Sequence, residues 1–188
     1  MKKLALAVVG AGLVAGAIAG QPTEPAEMPE FPQPGEQHQW LQQLTGEWTT
    51  QVEAKMDEDS APITSEGVES VRSIGGFWVV AENTGDFMGA PFTGVLTLGY
   101  DTEKGHYVGT WIDSMTDRLW TYHGSLDASG RKLTLETEGP CPLAPGRTVS
   151  FKETIEIKSR DHKVFTSAFQ DDDGSWATML TIDYRRKN

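Results

Sequence analysis

The sequence predicts an all-β protein, a ten-stranded antiparallel up-and-down barrel with one short N-terminal helix capping an end. Three observations carry that expectation. After Gly46 the apolar residues recur at every second position through the rest of the chain. Nine turn signals, among them "DTEKG" (101–105), "DASG" (127–130) and "DDDG" (171–174), divide this stretch into ten β-rich runs of roughly 7 to 11 residues. No long helical segment intervenes, so neighbouring strands have no parallel crossover and must pair antiparallel. Ten strands in a flat sheet would leave two long edges. Closure removes both, and an even number lets the last strand pair antiparallel with the first. A two-sheet sandwich is the alternative, but the long connections of a Greek key are not evident. A barrel this wide need not be filled by its own side chains.

Two segments precede the strands. "MKKLALAVVGAGLVAGAIAG" has two lysines, an apolar run and small residues at Ala17 and Ala19, the pattern of a secretory signal peptide over residues 1–19. The run from Leu4 to Ala19 is shorter than the roughly 20 residues a spanning helix needs, and no cysteine follows to carry a lipid. The expectation is export to the periplasm or the extracellular space, without stable membrane anchoring after cleavage. Residues 20–36 read as a Pro/Glu-rich disordered linker, leaving 37–188 as the barrel domain. Within "GEQHQWLQQLTG", Trp40, Leu41 and Leu44 recur at helical spacing and Gly46 supplies a stop. That helix is expected to cover one end of the barrel, as a cap or as a mobile lid.

The 16 basic and 27 acidic residues give a formal net charge of −11, and removal of Lys2 and Lys3 with the leader lowers it by two more. Such a surface repels phosphate backbones and anionic lipids, which argues against nucleic-acid partners. Cys141 is the single cysteine, so stability must come from the core and not from an internal disulfide. It lies in "GPCPLAPGR", a loop by composition, and reads as a free and mostly inert thiol.

Several strands declare an inner face. Trp48, Val52, Ala54 and Met56 align in "GEWTTQVEAKM", Val149, Phe151, Ile155 and Ile157 in "RTVSFKETIEIKS", and Trp176, Leu180, Ile182 and Tyr184 in "SWATMLTIDY". The exceptions are more informative. Glu153 shares the inner face with Phe151 and Ile155, where a carboxylate must be protonated, hydrogen-bonded or paired unless a bulge turns it out to solvent. Arg72, in line with Val68 and Ile74, is the partner the pattern offers. In "YVGTWIDSM" the face bearing Tyr107, Trp111 and Met115 also carries Asp113. Aromatic rings with polar tips suit a cavity wall, so this face is expected inside, with Asp113 at the rim. For "DRLWTYHGSLD" the pattern does not choose between Arg118/Trp120/Tyr122 and Leu119/Thr121/His123.

Taken together, "HQWLQQLTGEW", "GDFMGAPFTGVLTLGYDTEKGHYVGTWIDSM" and "TMLTIDYRRK" resemble a family of exported bacterial domains known as domain of unknown function 1579. The resemblance runs from about His38 to Lys187 and is most specific at Gly99, Tyr100, Asp101, Tyr107, Trp111, Asp113 and Ser114. It implies a calycin-type, lipocalin-like barrel, distantly related to fatty-acid-binding proteins and nitrobindin-like haem barrels. It implies no activity, and a fold alone does not supply one.

His38, His106, His123 and His162 stand singly, with no H-x-x-x-H or H-E-x-x-H spacing, so no metal site is expected. A site assembled across strands from His106, Asp113 and His123 is the remaining arrangement. The resemblance to haem barrels implies a late histidine. Only His162 lies late, in a charged turn, and the final strand has none, so neither haem nor another cofactor is expected. There is no G-x-S-x-G elbow and no phosphate-binding loop. The reading is an exported barrel binding a small apolar or amphipathic ligand. The interior would be lined by Trp48, Phe92, Tyr107, Trp111 and Trp176, with Asp113, Arg72 or Glu153 fixing a polar end. The alternatives are an enzyme pairing Asp113 with His106 or His123 at the barrel mouth, and a cell-envelope interaction module with a filled core.

Overall fold

The computed structural model describes residues 30–55, 61–141 and 146–187. The leader, most of the linker, Met56 and the tip of the Cys141 loop lie outside the described residues. From Gln33 onward the chain forms one compact unit. It contains a helix, α1 (Glu36–Gln42), and ten strands: β1 (Gly46–Ala54), β2 (Ile63–Ile74), β3 (Trp78–Phe87), β4 (Ala90–Asp101), β5 (His106–Asp113), β6 (Trp120–Leu126), β7 (Lys132–Pro140), β8 (Thr148–Ser159), β9 (His162–Gln170) and β10 (Trp176–Arg186). Each strand pairs antiparallel with its sequence neighbours, and β1 pairs with β10, so the sheet closes on itself. This is the predicted barrel. The closing seam runs from Trp48 opposite Arg186 to Ala54 opposite Leu180.

Period-two burial sets the inside. On β1, Trp48, Thr50 and Ala54 are buried while Thr49, Gln51 and Glu53 are exposed. On β7 and β8 the buried sets are Leu133, Leu135 and Thr137, and Val149, Phe151, Glu153 and Ile155. On the outer face, directly opposed threonines share hydroxyl hydrogen bonds, Thr97 with Thr110 at 2.6 Å and Thr154 with Thr166, and these help hold the register. Cys141 is buried against Val149, Phe151 and Phe169 instead of sitting in an open loop.

Helix α1 closes the end that carries the β2–β3, β4–β5, β6–β7 and β8–β9 turns. Trp40, Leu41 and Leu44 are buried there, as the helical spacing predicted. The Trp40 indole donates to the Gly130 carbonyl at 2.8 Å, the Tyr107 hydroxyl to the Gln37 carbonyl at 3.1 Å, and the Trp48 indole to the Leu44 carbonyl at 2.9 Å. His38, one of the singly placed histidines, is buried. Its Nδ1 accepts from the Gly35 amide at 3.0 Å, which leaves Nε2–H to donate to the Tyr100 carbonyl at 3.1 Å. The ring thus caps the helix start and ties it to the end of β4. With so many fixed contacts α1 is a plug.

β6 and β7 approach so closely that a Cβ on Gly124 would overlap the Thr134 carbonyl. Backbone, unlike a side-chain tip, cannot move aside cheaply. Gly124→Ala should therefore destabilise the barrel by about 3 kcal/mol, the upper end of overpacking costs. Urea unfolding would read this as a lower midpoint, and an unchanged midpoint would show that the two strands can part.

Candidate functional site

The barrel is hollow. A cavity of about 450 Å³ runs along its axis, from Leu44 behind the helix to Met115 and Thr116 in the β5–β6 loop at the opposite end. Its wall is mostly aliphatic and aromatic: Val79, Ala81, Leu96, Leu135, Ile155, Phe165 and Ile182. The size falls within the roughly 300–1,000 Å³ of small-molecule sites.

Among the described residues, one buried side-chain polar atom, in the cavity-lining Glu153, has no hydrogen-bond partner. Glu153 projects from mid-β8, opposite Leu135 on β7 and Ser167 on β9. It is only 8% exposed. Ser167 donates its hydroxyl to Oε1 at 3.0 Å, and Oε2 has no partner. Burial pushes the carboxyl pKa up to about 7, against the lowering effect of the Ser167 hydrogen bond. Burial likewise raises the pKa of the Tyr122 hydroxyl, with a further push from Glu153 and then Asp113.

A second polar feature lies nearer the helix. Lys163 on β9 and Glu69 on β2 form a hydrogen-bonded ion pair, both nearly free of solvent. To reach across two intervening strands the Lys163 chain passes over β10 and β1. Its ammonium lies 4.5 Å from the Tyr184 ring centre and 4.6 Å from that of Trp48. Burial lowers the Lys163 pKa and Glu69 opposes that shift. The pair therefore leaves no net charge of its own in the interior.

Aromatic residues line the far end. The Trp111 indole donates to Asp113 Oδ2 at 2.8 Å, while Asp113 Oδ1 accepts the Met115 and Thr116 amides at 2.8 and 3.0 Å. Asp113 thus fixes both the ring and the loop after β5. Trp111 stacks on Phe92 and lies flat over Gly94, where any Cβ would collide with it. Trp120 packs in the same way over Gly139 and edge-on against Phe151.

Of the eight residues singled out from the sequence, Phe92, Trp111, Asp113 and Glu153 line the cavity. Trp48 and Tyr107 point inward but are packed solid beneath the helix. Two are misplaced by the pattern. Arg72 is exposed on the outer face, because β2 buries Glu69 and Val71 and turns Val68, Arg72 and Ile74 outward; no Arg72–Glu153 pair exists. Trp176 also lies outside, over the Lys152 ammonium, because a bulge between Thr178 and Leu180 reverses the facing of the first part of β10. On β6, Trp120 and Tyr122 turn inward and His123 outward. His106 and His123 pair with each other outside, 6.1 Å between centroids, whereas Asp113 faces inward at the other end of β5. Asp113 therefore has neither histidine as an acid–base or metal-binding partner. Glu69, Lys163 and Ser167 were missed. Lys163 and Ser167 share the period-two face of Phe165 and Phe169, and that alternation was their one signal in the sequence.

A closed antiparallel barrel with a plugged end and an apolar axial cavity defines the structural class. The chain belongs to the family described as protein of unknown function (DUF1579), whose model matches residues 33–186. A comparison with curated proteins finds no match. The crystal structure of Rv2717c from M. tuberculosis is similar with a TM-score of 0.58 and 14% identity, over 82% of this chain and 99% of that one. The barrel EF1p2_mFAP2b bound to DFHBI gives a TM-score of 0.44 and 15% identity, over 81% and 100%. The redesigned barrel b11L5F_LGL gives 0.42 and 15%, over 78% and 94%. At these identities the likeness is one of fold alone.

Two stability predictions follow from the buried charges. Lys163→Met strands Glu69 in the interior and should cost about 3–5 kcal/mol, whereas Glu69→Met with Lys163→Met should recover most of the loss. Equal losses in the single and double variants, by chemical unfolding, would sink the pairing argument. Burial holds the Glu153 carboxyl at about 7 in the folded state, above the ordinary 4.5 of a glutamate. The fold thus favours its protonated form, and its contribution is complete below pH 4.5 and lost as the pH rises through 7. Glu153→Gln removes that titration. Its stability relative to the native chain should rise by about 3 kcal/mol between pH 4.5 and 7, then level off. A pH-independent difference would contradict the buried carboxyl.

Proposed function

We propose that this barrel binds a small apolar or amphipathic molecule within its interior. The observation that supports the reading is the cavity of about 450 Å³, walled by aliphatic and aromatic side chains and left open by the protein's own packing. A barrel that served only as an interaction module could fill that volume and gain the stability of a packed core. The aromatic residues at the far end, Phe92, Trp111 and Trp120, stand where a ligand would pass. The reading is one of binding and carriage, without a reaction, since the paired acid and base that an enzymatic reading required lie on opposite faces of the wall.

Tryptophan fluorescence titrated with a panel of fatty acids, tetrapyrroles and quinones should give a saturable change with at least one class, reported by Trp111 and Trp120. Ala81→Trp places a large ring in the cavity and should weaken that binding by about tenfold or more. Its far-UV circular dichroism should remain that of the native barrel. A flat titration across the whole panel, or undiminished binding in a folded Ala81→Trp variant, would overturn the interior site.

A further inference from the structure

The cavity contains one polar atom that the protein leaves unanswered, and its chemistry narrows the ligand. Glu153 Oε2 is buried and accepts no hydrogen bond, although Oε1 is held by Ser167 at 3.0 Å. Leaving a buried carboxyl oxygen unpaired is destabilising, because its water is lost and nothing replaces it. A leucine or methionine there would have avoided the cost. The groups facing it from neighbouring elements are Ser167 on β9 and Tyr122 on β6, both uncharged, and the Lys163 ammonium is taken by Glu69. No cation of the described protein answers Glu153. Among the residues lining the cavity, Glu69, Asp113 and Glu153 turn inward as acids, and the one base, Lys163, is taken by Glu69. An anionic ligand would meet like charge at Asp113 and Glu153. A cationic one would be drawn in and would find a single unpartnered acceptor at mid-barrel.

We infer that the ligand is an amphiphilic amine, an apolar body carrying one protonated nitrogen that docks on Glu153 Oε2 while the aliphatic wall takes the body. The inference rests on the interior-binding reading and deepens it. Glu153 is the specificity-determining residue, with Ser167 holding Oε1 of its carboxylate at the cavity wall. Neutralising the carboxylate with a ligand ammonium supplies the counter-charge that the fold omits, and the N–H donor satisfies the open oxygen. Buried charge-assisted pairs of this kind discriminate strongly, because a ligand lacking the donor leaves the acceptor desolvated and empty.

The test uses pyrene as an uncharged reporter of the cavity, displaced at about pH 8 by octylamine, 1-octanol or octanoate. These three share an apolar chain and differ only at the head. Pyrene should bind, and octylamine should displace it at concentrations roughly ten- to hundredfold below those of octanoate, the worth of one charge-assisted hydrogen bond. In Glu153→Gln the octylamine advantage over 1-octanol, taken as a ratio within that variant, should vanish. Pyrene binding with octanoate equal to or better than octylamine would overturn the amine inference and leave the cavity reading standing. An octylamine advantage that survives in Glu153→Gln would do the same. Failure of pyrene to bind the native chain would overturn both. If Glu153→Gln does not fold, as judged by circular dichroism, the order of the three ligands on the native chain decides the question alone.

Discussion

The structure depends on a single closure: β1 pairs with β10, so that every strand has two neighbours and no edge is exposed. Backbone hydrogen bonding alone would hold that seam only as firmly as any other pair. The interior adds to it. Glu69 on β2 and Lys163 on β9 stand on either side of β1 and β10, and the lysine chain bridges both strands beneath the Trp48 and Tyr184 rings. At the helix end of the seam, Arg186 of β10 donates to the Thr45 and Gln43 carbonyls just before β1, at 2.7 and 3.2 Å, and its guanidinium lies 4.1 Å from the Trp48 ring centre. Two cations thus clasp Trp48, from the ends of strands that meet only when the ring is shut. Ion pairs buried in this way add little net stability but penalise alternatives strongly. A slipped register on any of the four strands would strand a charge.

Closure then decides what the helix can do. With the strand ends brought into a circle, one opening must be covered. The short α1 is fixed across it by contacts from four directions, to β4 through His38, to the β2–β3 turn through Gln42, to the β6–β7 turn through Trp40, and to β5 through Tyr107. A seven-residue helix has little stability of its own, and here tertiary contacts supply it. Aromatic and aliphatic residues pack under the helix, and the cavity runs from Leu44 there to the opposite end, where Trp111 is held by Asp113.

Much of the fold was legible because its determinants are local. Alternation and turn residues are properties of consecutive positions, and they indicated ten strands, their pairing and the inner face of β1, β5 and β8. Three features escaped for physical reasons. In β2 both faces carry apolar residues, Val68 and Ile74 on one and Val71 on the other, so parity was ambiguous; a charged residue lay on each side and the structure buried Glu69, not Arg72. In β10 the alternation is real, yet the bulge near Met179 shifts its phase, and Trp176 leaves the interior that Tyr184 and Ile182 occupy. The Glu69–Lys163 contact joins residues 94 apart in sequence, and only closure brings their strands near each other. Of the site itself, Glu153, Phe92, Trp111 and Asp113 were readable. Strand number indicated that the interior could be open, but not where the space would lie, because a void is a property of the whole ring.

The two buried acids show how one interior can treat the same functional group in opposite ways. Glu69 was given a partner by the fold, and the pair is closed to any newcomer. Glu153 received half of one: a serine hydroxyl that orients the carboxyl and lowers its cost without neutralising it. Had the protein needed only stability, either a second donor or an apolar residue at position 153 would have been the better solution. A half-satisfied carboxyl in an unfilled apolar chamber is instead the arrangement expected where stability is given up so that the missing donor can arrive from outside. The same reasoning separates the two polar features by role. Glu69 and Lys163 define which strands meet, and Glu153 defines what the space between them will accept.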